Sequence, residues 1–285
     1  MLPGSLSGRR VLVTGGTQGL GLEAAVQLQR LGAVVAITGR DDGKLAAAAA
    51  EIARRSGSPP PRTWRADFAV LADVRALAAA LLAEPDPIHV LLNNAGTVFD
   101  ARSTTIDGFE STFAVNHLAP FLLTRLLEER LLASAPARVV TVSSAAHFRA
   151  TMDFDDLHYA KGGWSTMASY GRSKLANVFM TRSLGRRWDP ARVTATCLHP
   201  GGVATNIWSH APWFVRPLLT TASRWFMYTA EQGAAPVVRL CADPDVAGRT
   251  GLYYDRELER WPSRFAQDDA VADRLWAESE RMVGL

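Results

Sequence analysis

Tyr170 and Lys174 stand four residues apart in an amphipathic stretch, so a helix there projects both side chains from one face. A free tyrosine ionises near pH ~10, too high for an efficient base at neutral pH. A neighbouring ammonium favours the phenolate and draws that value toward the operating pH, as general acid–base catalysis requires. Many helices carry this spacing by chance, so the pair needs company. Upstream, Val142-Ser143-Ser144 closes an apolar run. A serine at such a strand tip can hold a substrate oxygen beside Tyr170.

A second set of residues could hold phosphates. Thr14-Gly15-Gly16-Thr17-Gln18-Gly19-Leu20-Gly21 follows a short apolar run and opens a helix-length segment. Glycines at this turn let backbone approach a pyrophosphate, and the following helix aims free N–H groups and its positive dipole end at it. A tight turn for packing alone is the plainer alternative. The next apolar run ends in Thr38-Gly39-Arg40. An acid there would bind a ribose 2′-hydroxyl and repel a 2′-phosphate, whereas the planar fork of Arg40 can clamp a phosphate. Arg40 facing solvent is the alternative.

These groups need strands and helices to place them. Apolar runs at 11–14, 33–38, 62–66, 88–92, 138–142, 192–198 and 252–254 predict strands. Helical patterns cover 19–31, 42–55, 69–83, 105–132, 169–188 and 268–282. Strand–helix alternation implies an α/β fold, a doubly wound (Rossmann) parallel sheet with helices on both faces. No repeat or linker divides the chain, so residues 1–285 are expected to form one domain.

Composition narrows the function. The 31 basic and 28 acidic residues leave a formal charge of +3, too slight and too interspersed to suggest a nucleic-acid partner. The histidines form no HxxxH or HExxH pair, so no catalytic metal is expected. Residues 1–10 lack an apolar core of signal-peptide length, and no run of about 18 apolar residues predicts a membrane span. Cys197 and Cys241 read as buried thiols in a cytoplasmic protein.

The ordered set TGxxxGxG, Asn93-Asn94-Ala95-Gly96 and Tyr170-xxx-Lys174 resembles the short-chain dehydrogenase/reductase family over almost the whole chain. The resemblance implies an NADP(H)-dependent oxidoreductase that interconverts a carbonyl and an alcohol. Gly39 falls where NAD-using members carry an acid, which favours NADP(H). The glycine loop, through Gly15, Thr17, Gln18, Gly19, Leu20 and Gly21, would hold the pyrophosphate. Asp67 would meet the adenine beside Phe68, and Asn93, Ala95 and Gly96 would line the ribose side. By the same resemblance Ser144, not Ser143, polarises the substrate oxygen. Lys174 tunes Tyr170 and holds the nicotinamide ribose, and Asn116 supports a water-linked proton path to Lys174. Pro200, Gly201 and Val203 would pack on the nicotinamide, with Thr205 a candidate for its carboxamide or for a phosphate and His199 structural.

The gap from Ser144 to Tyr170 is longer than in the shortest members. This connection, together with Thr229–Ala234 and Arg274-Leu275-Trp276, resembles a retinol-dehydrogenase-like subgroup that includes WW-domain oxidoreductases. The connection 145–169 and an aromatic stretch 206–228, expected as a lid, imply a small apolar or aromatic substrate. Family members often dimerise through the helices expected at 105–132 and 169–188, so a homodimer is expected here. Two rivals remain: an NADP(H)-binding regulatory protein without turnover, and a nucleotide-sugar epimerase or dehydratase.

Overall fold

Short runs such as Val90-Leu91-Leu92 are buried on both faces, which is why they read as continuous apolar stretches and not as alternating ones. The computed structural model describes residues 5–202 and 228–285. Its first half contains β1 (Arg10–Val13), α1 (Gly19–Arg30), β2 (Val34–Gly39), α2 (Asp42–Ser56), β3 (Arg62–Arg65), α3 (Leu71–Leu82) and β4 (Val90–Asn93). Next come α4 (Ser111–Phe113), α5 (Ala119–Leu126), α6 (Glu128–Ala133), β5 (Ala137–Val142) and α7 (Thr166–Arg187). β6 (Val193–His199), α8 (Ala230–Ala242), β7 (Leu252–Asp255), β8 (Leu258–Arg260) and α9 (Asp269–Val283) complete the described elements.

The strands form one sheet in the order β3-β2-β1-β4-β5-β6-β7-β8. All neighbours are parallel except β7 and β8. One face buries α3, α5, α7 and α9 around Phe121, Leu175, Phe179 and Leu275. The other buries α1, α2 and α8 around Val26, Ile52 and Val237. The winding reverses between β1 and β4, and a crevice opens beyond the carboxyl ends of the strands at such a switch point.

The helix expected over 105–132 is corrected. It begins only at Ser111, because the buried Glu110 carboxylate caps the N–H groups of Thr112 and Phe113. It then passes through a π-helical turn, Ala114–Leu118, and breaks again at Leu127. Helix α8 and strand β8 were not anticipated. Gly233 and Pro236 disguise α8, although Thr229 and Gln232 form a capping box. β8 is a charged, fully exposed edge.

The long connection opens with a 3-10 turn, Ala145–Arg149, and then an irregular stretch that is pinned at several points. Trp164 Nε1 donates to Glu110, and Arg172 donates to the carbonyls of Asp156 and Leu157. Helix α9 lies across α5 and α7, where Trp276 meets Phe121 edge-on with centroids 5.0 Å apart. It therefore covers part of the face through which a homodimer is expected. Among the described residues no helix is long and apolar enough to cross a membrane.

Candidate active site

The turn after β1 is held open by hydrogen bonds from both flanking strands. Gly15 has φ +67°, and a Cβ there would sit 2.9 Å from Ala95 Cα, so glycine is required twice over. Gly15 N donates to Thr38 Oγ1 (3.3 Å) and Gly16 N to Thr38 O (3.1 Å). Asn94 Nδ2 donates to Thr14 O (2.9 Å) and Gly15 O (3.1 Å). A Cβ on Gly21 would fall 2.3 Å from Gly15 O and 2.4 Å from Asn94 Nδ2, so any side chain there would break this brace. Among the described residues no side chain caps the first N–H groups of α1, and its first turn carries no acid. The turn and the helix end therefore present uncompensated donors to the crevice, and these fit a pyrophosphate.

That crevice has a volume of about 420 Å³, within the ~300–1,000 Å³ common for ligand pockets. Of the residues expected to bind the cofactor, Gly15, Thr17, Gln18, Gly19, Leu20, Gly21, Arg40, Asp67, Phe68, Ala95, Gly96, Pro200 and Gly201 line it. Arg40 is exposed at its rim. The Asp67 carboxylate accepts from Ala69 N (2.9 Å). Asn93 is a correction. Its side chain is buried and donates to Thr124 Oγ1 on α5, away from the crevice, while Asn94 does the work at the wall. Val203, Thr205 and nearly all of the expected lid, 206–227, lie outside the described residues. Tyr228, the last lid residue, is described: its N–H donates to Gly202 O (2.8 Å) and its hydroxyl accepts from Arg256.

At the other end of the crevice lie Ser144, Tyr170 and Lys174. Ser144, which follows β5, hydrogen-bonds the phenol of Tyr170, and its Oγ also accepts from Ala146 N (3.2 Å). Ser143 faces the other way and donates to Lys174 O (2.8 Å), the packing role expected of it. Lys174 Nζ donates to Val142 O (2.9 Å) and lies 5.5 Å from the centre of the Tyr170 ring. Burial pushes the Tyr170 phenol up from its ordinary value, and the Ser144 hydrogen bond opposes this. Burial also pushes the Lys174 ammonium down to about 8. Both groups sit in a dry site that disfavours charge, and the ammonium points at a carbonyl.

Asn116 lies in the π-helical turn, a distortion often found at functional sites. Its Oδ1 accepts from Thr97 N (2.7 Å), and its Nδ2 donates to Thr97 O and Ser173 Oγ (3.0 Å each). It therefore ties the loop after β4 to α7, one residue from Lys174. The Asn116 carbonyl accepts from Asn177 Nδ2 (2.9 Å).

Some participants were not anticipated as site residues. Thr14 Oγ1 accepts from the N–H groups of Asn94 and Ala95 (3.0 Å each), locking the two loops together. Phe99 and Val115 add apolar wall to the crevice. Asn94 and Thr14 stood inside the motifs, and their side-chain direction was the missing information. Phe99 and Val115 carry no local signal.

Comparison with known proteins agrees with this geometry. The short chain dehydrogenase family model matches residues 9–212. Human retinol dehydrogenase 13 is 38% identical over 99% of this chain and 86% of its own length. A Streptomyces sp. (strain C5) protein provisionally named as a daunorubicin C-13 ketoreductase is 41% identical, covering 99% and 94%. A crystal structure of an uncharacterised Mycobacterium paratuberculosis protein superposes with a TM-score of 0.78 at 32% identity, covering 99% and 96%. A Shigella flexneri short chain dehydrogenase complexed with NADP gives 0.72 at 25% identity, covering 90% and 100%. Fold and site together define a Rossmann-fold oxidoreductase that interconverts carbonyl and alcohol groups. The chain belongs to the short-chain dehydrogenase/reductase family, in a subgroup with the retinol dehydrogenases.

Proposed function

We propose that this protein is an NADP(H)-dependent reductase of apolar or aromatic ketones and aldehydes, with Tyr170 as proton donor. The carrying observation is the buried phenol of Tyr170, hydrogen-bonded to Ser144 and biased by its dry surroundings toward the protonated form. A phenol kept neutral is ready to give a proton, which favours carbonyl reduction.

A nicotinamide cofactor in the crevice supplies the hydride. Tyr170 Oη delivers its proton to the substrate oxygen. Ser144 polarises that oxygen in the reactant and steadies the phenolate left on Tyr170. Lys174 places its positive charge near the same phenolate and is positioned to meet the cofactor's ribose. Asn116 holds Thr97 and Ser173, and so keeps the Lys174 turn of α7 in register. The 2′-phosphate is assigned to Arg40, because Gly39 leaves no acid to repel it. The NADP complex of the Shigella relative supports this assignment. The apolar substrate class is supported by the bulky substrates that the relatives' names carry. The cytoplasmic setting is supported by Cys197 and Cys241, both buried free thiols that burial pushes up to about 12.

The test is turnover of a panel of apolar and polar carbonyls at neutral pH with NADPH and with NADH. Apolar carbonyls with NADPH are expected to turn over best. Tyr170→Phe is expected to lose about 10²–10⁴-fold in kcat while still binding NADPH. Near-normal turnover in that variant would remove Tyr170 from the mechanism, and a preference for NADH would remove the role of Arg40.

A further inference from the structure

His147 is fully buried in the 3-10 turn that leaves Ser144, and the mechanism above gives it no task. Its ring makes two polar contacts on opposite sides. Nε2 accepts the backbone N–H of Ser263 (3.2 Å), in the segment that follows β8. An atom that accepts carries no proton, so in the neutral ring the proton sits on Nδ1. Nδ1 then donates to the carbonyl of Ser144 (2.7 Å). The ring packs against Phe148 and Tyr253, with centroids at 4.1 and 4.7 Å. The turn itself rests on α7 beside Tyr170, where a Cβ on Gly171 would come 3.1 Å from Ala146 O. Ser263 is anchored in turn. Gln267 donates to Pro262 O (3.1 Å), and Phe265 meets Phe179 of α7 edge-on at 5.8 Å.

We propose that His147 is a positioning residue that holds Ser144 against Tyr170 by spanning from the Ser144 carbonyl to the Ser263 amide. Ser144, the hydrogen-bond partner of the proton donor, and the segment after β8 are thereby fixed to each other through one neutral imidazole. The inference rests on the reading that Ser144 works on the substrate oxygen, and it adds what keeps Ser144 in place. Small displacements of a catalytic group cost rate steeply, so the bond to Ser144 O should show in kcat and not in cofactor affinity.

Three substitutions separate the two ends of the bridge. His147→Ala removes both, and kcat is expected to fall about tenfold to a hundredfold with NADPH affinity unchanged. His147→Asn can place an amide donor where Nδ1 stands and is expected to recover most of that loss. His147→Gln reaches the place of Nε2, keeps only the Ser263 contact, and is expected not to recover it. Melting temperature and NADPH binding, measured on each variant, identify any that fails to fold. A purely structural histidine would move melting temperature with no Asn-over-Gln ordering in kcat, and that result overturns the inference.

Two controls keep the premises apart. Loss of turnover in Ser144→Ala together with wild-type kcat in His147→Ala overturns the inference and leaves the Ser144 reading intact. Wild-type kcat in Ser144→Ala removes that reading and the inference with it. Nitrogen NMR of the wild-type ring gives a result independent of activity. A proton on Nδ1 with Nε2 bare is expected, and the opposite tautomer overturns the bridge.

Discussion

Tyr170 and Lys174 are both pressed toward their neutral forms by one dry crevice, and this sets how activity should vary with pH. The phenol is raised by burial, so it keeps its proton across the neutral range. Lys174 is lowered to about 8, so it is charged at pH 7 and loses its proton as pH rises through that value. In the proposed mechanism the ammonium steadies the phenolate after proton transfer. The kcat for reduction is therefore expected to hold below pH 8 and to fall on the alkaline side with a midpoint near 8. A pH–rate profile checks this, and an alkaline limb that survives unchanged in Lys174→Gln would assign it elsewhere. At the opposite end, Gly39 is held small by its neighbours: a Cβ there would meet Thr17 Cγ2 at 2.6 Å and Leu45 Cδ2 at 3.2 Å. Gly39→Asp alone is expected to weaken cofactor binding about tenfold, at an overpacking cost of roughly 1–3 kcal/mol, without gaining NADH. Thr17→Ala added to it removes the nearest clash and is expected to move preference toward NADH. Cofactor dissociation constants for the single and double variants decide the point. These residues were legible because their motifs tie residue type to place along the chain. The direction of a side chain was not, so Asn93 turned out to face the core and Thr14 to brace the loops.

The π-helical turn between α4 and α5 is where an element, more than any single side chain, serves the site. It carries Asn116 on one side and His117 on the other, and His117 is fully enclosed among Phe121, Met180, Leu275 and Ser279. Its Nε2 meets Ser279 Oγ at 2.9 Å and its Nδ1 meets Asn177 Oδ1 at 3.4 Å. Burial lowers it to about 4, well below an ordinary histidine near 6.5. Between those values the unfolded chain binds a proton that the folded chain refuses. The contribution of neutral His117 is thus present above pH 6.5 and lost as pH falls toward 4. Each pKa unit is about 1.4 kcal/mol, so the loss at pH 4 is on the order of 3 kcal/mol. Urea midpoints measured from pH 7 to pH 4 should fall steeply, and less steeply in His117→Gln. Equal slopes would mean that other buried groups carry the acid sensitivity. Elements of this sheet were legible wherever an apolar run stood between breakers, as β1, β4 and β5 do. The π-turn was not, since Ala-Val-Asn-His-Leu reads as ordinary helix, and its bonds to Ser173 and Asn177 of α7 are tertiary. Helix α8 hid behind Gly233 and Pro236, and β8 has no apolar side to betray it.

For the whole molecule, the question is what α9 does at the surface formed by α5 and α7. Asp269 and Asp273 pair with Arg182, Arg186 and Arg187, but these carboxylates are 51% and 53% exposed, and such pairs are worth about 0–1 kcal/mol each. The seam beneath them is apolar and nearly closed: Ala272, Leu275 and Val283 are buried, and Trp276 is 7% exposed. The guanidinium of Arg187 lies 4.4 Å from the centre of the Trp276 ring, and that of Arg125 lies 5.0 Å from it. Burial and not charge therefore attaches the helix. Stability should change little between low and high salt, while Trp276→Ala should cost about 3–5 kcal/mol. A chain ending at residue 268 would uncover Phe121, Leu184 and His117 along the faces that short-chain dehydrogenases commonly pair. Light scattering at micromolar concentration is expected to show self-association in that truncated chain. The full chain should keep α9 docked, and so should not associate through α5 and α7. A full-length dimer whose interface cross-links through α5 or α7 would show that α9 lifts away, and the closed seam seen here would then be only one of its positions.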